Sequence, residues 1–248
     1  MAGQCVAVVS GKGGTGKTSF TAGVGSALAQ LGRRVLCVDC DIALRNLDLA
    51  LGLTDRAIMD FTDVAQGRCS LDAAAVEHPD LPGLFLLTAP VRSRGRPAAE
   101  EEMARLLDAA RERFDYCFLD APAGLDAGFR LATCAADRCV VVATADASSL
   151  RDAQHTVMEL HHFPSGRLHL AVNRVRKKML RSMHATIDDA IDRAGLPLIG
   201  VIPEDDSLPL SLNKGVPLLL SSSQGAAAAC RNIARRLQGE KVPLLRIR

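Results

Sequence analysis

The chain has 248 residues, of which 48% are hydrophobic and 23% charged, and its formal net charge at pH 7 is +2. This length suits one domain with a large core, and the composition argues against a disordered chain. The small net charge gives no general attraction to DNA or anionic lipid. The absence of tryptophan and the single tyrosine argue against nucleic-acid binding by base stacking on aromatic side chains.

Short apolar runs alternate with helical stretches along the chain. The apolar runs predict strands at 5–9, 34–39, 84–88, 116–120, 139–144, 168–173 and 198–202. Helices are predicted at 19–31, 98–114, 147–162, 183–194 and 224–238, and surface loops at 78–83 and 90–97, which are rich in proline and glycine. The alternation predicts an α/β fold: one doubly wound, mostly parallel sheet with helices on both faces. We expect this domain to span residues 1–238, followed by a short tail at 239–248.

Residues 11–18 read Gly-Lys-Gly-Gly-Thr-Gly-Lys-Thr. Gly11, Gly16, Lys17 and Thr18 fit the P-loop pattern of Gly, four residues and Gly-Lys-Ser/Thr, in which glycines let backbone N–H groups surround phosphate oxygens. A β-branched apolar run precedes the loop and a helix follows it, which is the arrangement that binds phosphate at a helix N-terminus. We therefore predict that Lys17 reaches the β and γ phosphates of a nucleotide and that Thr18 binds Mg²⁺.

Acidic residues follow two of the predicted strands. Asp120 ends the strand at 116–120 and precedes Ala-Pro-Ala-Gly, so it is placed to hold Mg²⁺ while the loop after it responds to the γ-phosphate. Asp39 and Asp41 end the second strand, and one of them would serve the metal while the other orients an attacking water. We assign the metal to Asp39 and the water to Asp41. The alternative is that both aspartates only cap a turn.

Lys12 is a second lysine near the start of the loop, where Lys17 already serves the phosphates. It is either a solvated surface charge or a group with a separate role. The string Lys-Gly-Gly-Thr-Gly-Lys-Thr resembles the deviant Walker A loop of the MinD/ParA family of ATPases. In that family the early lysine crosses a dimer interface to the partner's nucleotide, so the resemblance implies a homodimer that encloses two ATP molecules and a catalytic role for Lys12 beside Lys17.

The resemblance extends from about Val6 to Leu237. Residues 39–49 are similar to the first switch segment of those family members that position the division septum, residues 120–124 to their second switch, and residues 148–152 to a helix start that their partners recognise. Residues 201–205 are also similar to a segment of these septum-positioning members. The resemblance implies an ATPase that is slow without a partner and that positions the septum by ATP-controlled recruitment of MinC-like and MinE-like division regulators.

The base is predicted to be adenine. A guanine-reading P-loop protein usually carries Asn/Thr-Lys-x-Asp after a late strand, whereas residues 173–176 read Asn-Arg-Val-Arg. The resemblance places Asn173, whose amide both donates and accepts, on the adenine edge, and the backbone near Pro203 and Glu204 against the ring. The implied nucleotide-binding residues are Gly11, Lys12, Gly13, Gly14, Thr15, Gly16, Lys17, Thr18, Ser19, Asn173, Pro203, Glu204 and Asp205.

Other functions remain open from the sequence. A ParA-like partition ATPase would use a nonspecific DNA patch, for which the candidates are Arg174, Arg176, Lys177, Lys178 and Arg181, although a solvated basic loop fits them better and nucleic-acid binding is not expected. A nucleotide-gated scaffold with negligible turnover is a second alternative. An iron–sulfur carrier would need cysteines that bridge the dimer, and Cys117 and Cys134 lack the glycine-flanked contexts for that role.

The N-terminus carries no basic segment before an apolar one, and no apolar run approaches the roughly 18 residues that span a bilayer, so we expect a cytoplasmic protein with reduced cysteines. Septum-positioning members of the family end in a basic amphipathic helix that enters the membrane. Here Pro243 fits poorly in a helix, and the residues around it (Leu244, Leu245, Arg246, Ile247 and Arg248) suggest at most a weak peripheral contact with the inner face of the cell membrane.

Overall fold

The structure is a computed structural model, and it describes residues 2–91, 96–164, 166–182 and 186–245. The strands are β1 (Gln4–Val9), β2 (Val35–Asp39), β3 (Val76–Glu77), β4 (Leu84–Leu87), β5 (Tyr116–Asp120), β6 (Arg138–Thr144), β7 (Leu168–Val175) and β8 (Leu198–Pro203). The helices are α1 (Lys17–Gln30), α2 (Leu47–Ala50), α3 (Phe61–Ala65), α4 (Leu71–Ala74), α5 (Glu100–Arg113), α6 (Ala127–Thr133), α7 (Ala147–Glu159), α8 (Lys177–Ser182), α9 (Ile187–Ala194), α10 (Ser207–Lys214), α11 (Leu218–Ser221) and α12 (Gly225–Leu237).

The described strands form one sheet in the order β3-β4-β2-β5-β1-β6-β7-β8. The short β3 pairs antiparallel to β4, and the other neighbouring strands run parallel. The chain winds outward from β1 in both directions, which is the doubly wound topology predicted from the sequence. In such a sheet ligands bind beyond the carboxyl ends of the strands where the winding reverses, and here that point lies at β1 with its neighbours β5 and β6.

Helices cover both faces of the sheet. Cys5, Ala7 and Val9 of β1 face a core that includes Met103 of α5 and Leu150 of α7. The alternate residues of β1 face a second core formed largely with α1 and α12. Because both faces are buried, the strands consist of continuous apolar runs, which is why the sequence shows them so clearly. The confirmed α/β fold follows directly from this pattern.

The sequence missed α6, α8, α10 and the shortest elements, and residues 177–182, expected in a solvated basic loop, form the helix α8. It gave no signal for β3, which has two residues, or for α2, α3, α4 and α11, which have four or five, because such pieces are too short to show a period. The predicted surface loop at 78–83 was partly wrong, since His78 and Leu81 are buried. The predicted helix at 183–194 is α9, and residues 183–185 lie outside the described part of the chain, as do residues 92–95 of the second predicted loop and residues 246–248 of the tail.

The boundary of the predicted domain stays a prediction, although α12 ends at Leu237, close to the expected position. Within the described residues, no helix is both long enough and apolar enough to cross a membrane.

Candidate nucleotide-binding site

The P-loop connects β1 to α1 and carries the geometry needed to hold an anion. Gly16 occupies the N-cap of α1 with a φ of 90°. A Cβ at this position would lie 2.2 Å from Asn173 Nδ2, so both the backbone conformation and the close approach require glycine. Because Gly16 has no side chain, no side-chain hydrogen bond from the N-cap occupies the first N–H groups of α1. Such a helix start binds phosphate through its backbone N–H groups and its dipole.

Lys17 begins α1 and points into this site. Its Nζ donates a hydrogen bond to Ser10 Oγ at 2.8 Å, and the residue is only 8% exposed. Burial lowers the pKa of Lys17, while the nearby carboxylates of Asp120 and Asp41 raise it. The ammonium is therefore held among acidic groups at the position where the sequence predicted a contact with phosphates. Ser10, which orients it, was not predicted.

Asp120 and Asp39 lie side by side at the carboxyl ends of β5 and β2, where they are register partners. Asp120 accepts a hydrogen bond from Thr18 Oγ1 at 2.7 Å and a longer one from Thr21 Oγ1 at 3.3 Å. Asp39 accepts from the N–H groups of Asp41, at 2.9 Å, and Leu47, at 3.1 Å. Both carboxyls are 1% exposed.

Burial raises the pKa of Asp120 to about 7 and that of Asp39 to about 6, and each carboxylate lies near other acidic groups that add to the shift. Two adjacent buried carboxyls beside the hydroxyl of Thr18 are a set of oxygen ligands that suits Mg²⁺. A divalent cation would also favour their ionised forms. The residues that the sequence predicted as metal ligands thus lie together and fit this metal.

Asp41 lies just beyond β2, partly exposed at the mouth of the site. Its Oδ1 accepts hydrogen bonds from the N–H groups of Ala43 and Leu44, both at 3.1 Å. It therefore does cap a turn, as the alternative interpretation held. These hydrogen bonds use one carboxylate oxygen. The Asp41 carboxylate is near enough to Lys17 to raise the pKa of that lysine, and the catalytic role of Asp41 stays a prediction.

Lys12 is paired with the start of α7. Its Nζ forms an ion pair with Asp146 Oδ1 at 3.3 Å and lies 3.5 Å from Ser148 Oγ, and its side chain is 35% exposed. Asp146 also accepts from the N–H of Ser149 and so forms the N-cap of α7. Asp146 was missed, although its position three residues before Ser149 is a recognisable capping pattern.

Asn173 contacts the P-loop itself. Its Nδ2 donates to the Thr15 carbonyl at 2.8 Å, its Oδ1 accepts from the N–H of Arg174 at 2.9 Å, and the residue is 2% exposed. Arg174, whose φ is 55°, donates to the Gly14 carbonyl at 3.2 Å. The adenine contact predicted for Asn173 stays a prediction. In this arrangement its amide is engaged with the loop that holds the phosphates.

Two cavities border the P-loop and the ends of β7 and β8. The first, of about 430 Å³, is lined by Lys12, Gly13, Gly14, Thr15, Thr144, Ala145, Asp146, Arg174, Arg176, Leu180 and Glu204. The second, of about 1010 Å³, includes Pro203, Glu204 and Asp205 in its wall, and shares Arg176 and Glu204 with the first. Of the predicted base-binding residues, Pro203, Glu204 and Asp205 line the second cavity, which meets the first at Arg176 and Glu204, whereas Asn173 lines neither. Ser19 lies apart from both and faces small gaps beside α1.

Residues 6–218 of the chain match the CobQ/CobB/MinD/ParA nucleotide binding domain. The chain belongs to this family. It is 40% identical over 245 residues to the septum site-determining protein MinD of Synechocystis, and the aligned region covers 98% of this chain and 92% of that protein. The solved MinC:MinD cell division protein complex of Aquifex aeolicus contains a chain that is 35% identical, with a TM-score of 0.90 and coverage of 98% of this chain and 99% of that one.

A third relative bears on the ligand. The septum site-determining protein MinD of Pyrococcus horikoshii, solved in complex with Mg-ADP, is 27% identical, with a TM-score of 0.81 and coverage of 94% of this chain and 95% of that one. The MinD/ParA resemblance stated from the sequence is therefore confirmed. Nucleotide binding is a property of the family to which this chain belongs. The roles of the individual site residues stay predictions.

Proposed function

We propose that this chain is an ATP-dependent switch of the MinD type, which binds MgATP, dimerises through it and hydrolyses it slowly on its own. The observation that carries the proposal is the convergence of Lys17, Thr18, Asp39 and Asp120 at one edge of the sheet, while Lys12 is paired with Asp146. A protein that only bound nucleotide would need the first four residues. The second lysine is the feature that a dimerising member of this family would use.

The chemistry assigned to each residue follows from its position. Lys17 would leave Ser10 to contact the phosphates, and the N–H groups of the loop and of α1 would surround them. Thr18, Asp120 and Asp39 would hold Mg²⁺, which supplies positive charge that offsets the charge of the phosphate oxygens. Asp41 lies at the mouth of the site, where its carboxylate would orient the attacking water and accept a proton from it.

Lys12 would serve the second subunit. Its ion pair with Asp146 is exposed, and pairs of this kind are worth at most about 1 kcal/mol, so releasing the lysine costs little. Delivered to the phosphates of the partner subunit, its charge would act as an arginine finger does in other phosphoryl-transfer enzymes. Hydrolysis would then depend on the dimer.

The cellular role proposed is the placement of the division septum, by recruitment of MinC-like and MinE-like regulators to the ATP-bound dimer. Identity of 40% across nearly the whole chain to a septum site-determining protein supports this role, and so does the close fit to a protein solved with MinC. The start of α7 is the predicted contact for such partners. It packs directly on the P-loop, because a Cβ on Gly11 would lie 2.6 Å from the Asp152 carbonyl oxygen.

The rival DNA-binding function has less support. Arg174 and Arg176, which belong to the proposed basic patch, both form ion pairs with Glu204. Paired arginines contribute less to phosphate binding than free ones, because binding must first break the pair. Co-sedimentation with DNA and with anionic liposomes, each in ATP and in ADP, would separate a partition role from a membrane-associated septum role.

ATP hydrolysis should be measured by phosphate release, alongside nucleotide binding by titration, for the unaltered protein and for Lys17→Ala. We expect slow turnover that Lys17→Ala abolishes together with ATP binding. Lys214→Ala, which removes an exposed lysine at the end of α10, is the matched control and should behave as the unaltered protein. Tight ATP binding without measurable turnover, alone or with cell extract and liposomes, would instead indicate a nucleotide-gated scaffold.

A further inference from the structure

The segment after α12 is linked through one side chain to β8, an edge strand of the sheet that the described strands form. It is fastened by Arg236, which lies in the last turn of α12. The guanidinium donates to the carbonyls of Val242, at 2.9 Å from Nη2, and Pro243, at 2.8 Å. It also donates from Nη1 to the carbonyl of Ile199 in β8, at 2.9 Å. One side chain thus joins the tail, the helix and the sheet.

The contacts of Arg236 are unusual for an arginine. Its partners among the described residues are carbonyl oxygens, and burial lowers its pKa. Taking a guanidinium out of water is unfavourable unless its donors are satisfied, and here the tail carbonyls satisfy most of them. Arg236 therefore fixes the path of the tail rather than forming a surface charge pair.

This path brings Leu245 to the cavity of about 1010 Å³ that Pro203, Glu204 and Asp205 also line. Leu245 is half-buried and packs against the core cluster shared with α12. The preceding residue, Leu244, points away and is 49% exposed. Of these two adjacent leucines, Leu245 lines the cavity and packs on the core, and Leu244 does neither.

We propose that Leu245 forms an apolar wall for the base of the bound nucleotide, and that Arg236 is the positioning residue that holds it there. The inference rests on the proposed function, because it takes this cavity as the site of the base. The faces of a purine ring are apolar, and the lining of this cavity holds Lys177 and Lys178 of α8 beside the apolar Val175, Pro203 and Ala228. Leu245 adds the largest aliphatic side chain of this lining. The cavity adjoins the P-loop cavity through Arg176 and Glu204, as a site for one nucleotide requires.

The test compares two ligands that share phosphates but differ in the base. ATP and inorganic tripolyphosphate, both with Mg²⁺, are titrated against the unaltered protein, Leu245→Ala and the control Leu244→Ala. We expect Leu245→Ala to raise the Kd for ATP about fivefold, equivalent to about 1 kcal/mol, and to leave the Kd for tripolyphosphate unchanged. Leu244→Ala should change neither Kd.

Arg236→Ala tests the positioning role. It should weaken ATP binding as Leu245→Ala does, and the double variant should be no weaker than either single one, because both act through the same contact. Thermal unfolding of each variant shows whether it is folded, and Arg236→Lys is the second variant should Arg236→Ala unfold. Equal ATP affinity in Leu245→Ala and the unaltered protein would overturn the proposal, as would equal weakening for ATP and tripolyphosphate. Failure of the unaltered protein to bind ATP would instead overturn the proposed function.

Discussion

Replacing Asn173 by alanine should reveal whether this residue reads adenine or supports the P-loop. The substitution removes a 2.8 Å hydrogen bond to the Thr15 carbonyl and a 2.9 Å hydrogen bond from the N–H of Arg174. Each hydrogen bond is worth about 1 kcal/mol, and leaving a buried carbonyl without a partner adds a cost of similar size. We therefore expect the free energy of unfolding to fall by about 2 to 3 kcal/mol. For a chain of this length that lowers the Tm by about 5 to 10 °C.

The assay combines thermal unfolding without nucleotide with titration of ATP and of Mg²⁺-tripolyphosphate. If Asn173 supports the loop, Asn173→Ala lowers the Tm and weakens both ligands. Asn173→Asp is compared by Tm alone, because it keeps the acceptor for Arg174 and loses the donor to Thr15 but adds a charge that repels phosphate. It should share the lower Tm. An unchanged Tm with weaker ATP binding and unaltered tripolyphosphate binding would refute this reasoning and favour the adenine contact.

The remaining predictions concern the loop and its catalytic groups. Lys12→Ala should change stability by less than about 1 kcal/mol, since its pair with Asp146 is exposed, yet abolish the ATP-dependent dimer; light scattering that still detects this dimer would contradict the trans role. Asp41→Ala should lower the free energy of unfolding by about 1 kcal/mol, because its turn loses hydrogen bonds, and should retain ATP binding but release no phosphate. Hydrolysis at the unaltered rate would remove Asp41 from the mechanism. Gly16→Ala places a methyl group against the Asn173 amide at a φ of 90° and should cost at least about 2 kcal/mol, measured as a lower urea midpoint; a midpoint within error of the unaltered protein would show that the loop adapts.

Features that depend on local sequence patterns could be predicted, whereas contacts between residues far apart in sequence could not. The P-loop is contiguous, and strands buried on both faces are uninterrupted apolar runs, so both can be recognised within a few residues. Asp120 and Thr18 were both predicted to hold Mg²⁺, Thr18 from the P-loop pattern and Asp120 from its place at the end of a strand. No such pattern pairs Lys12 with Asp146 or Asn173 with Thr15, which are 134 and 158 residues apart in sequence. Their partners depend on how β6 pairs with β1 and β7 pairs with β6.

These missed contacts explain how the loop is ready for phosphate before any is bound. The carbonyls of Gly14 and Thr15 accept hydrogen bonds from Arg174 and Asn173, so both carbonyls point towards the end of β7. The described peptide bonds are trans, and in a trans peptide the N–H points opposite to the C=O. The N–H groups of Thr15 and Gly16 therefore point away from β7. Donors fixed in this way need no reorganisation when an anion arrives, which is the condition under which backbone N–H groups bind phosphate strongly. The end of β7 thus contributes to phosphate binding through the loop, whichever surface holds the base.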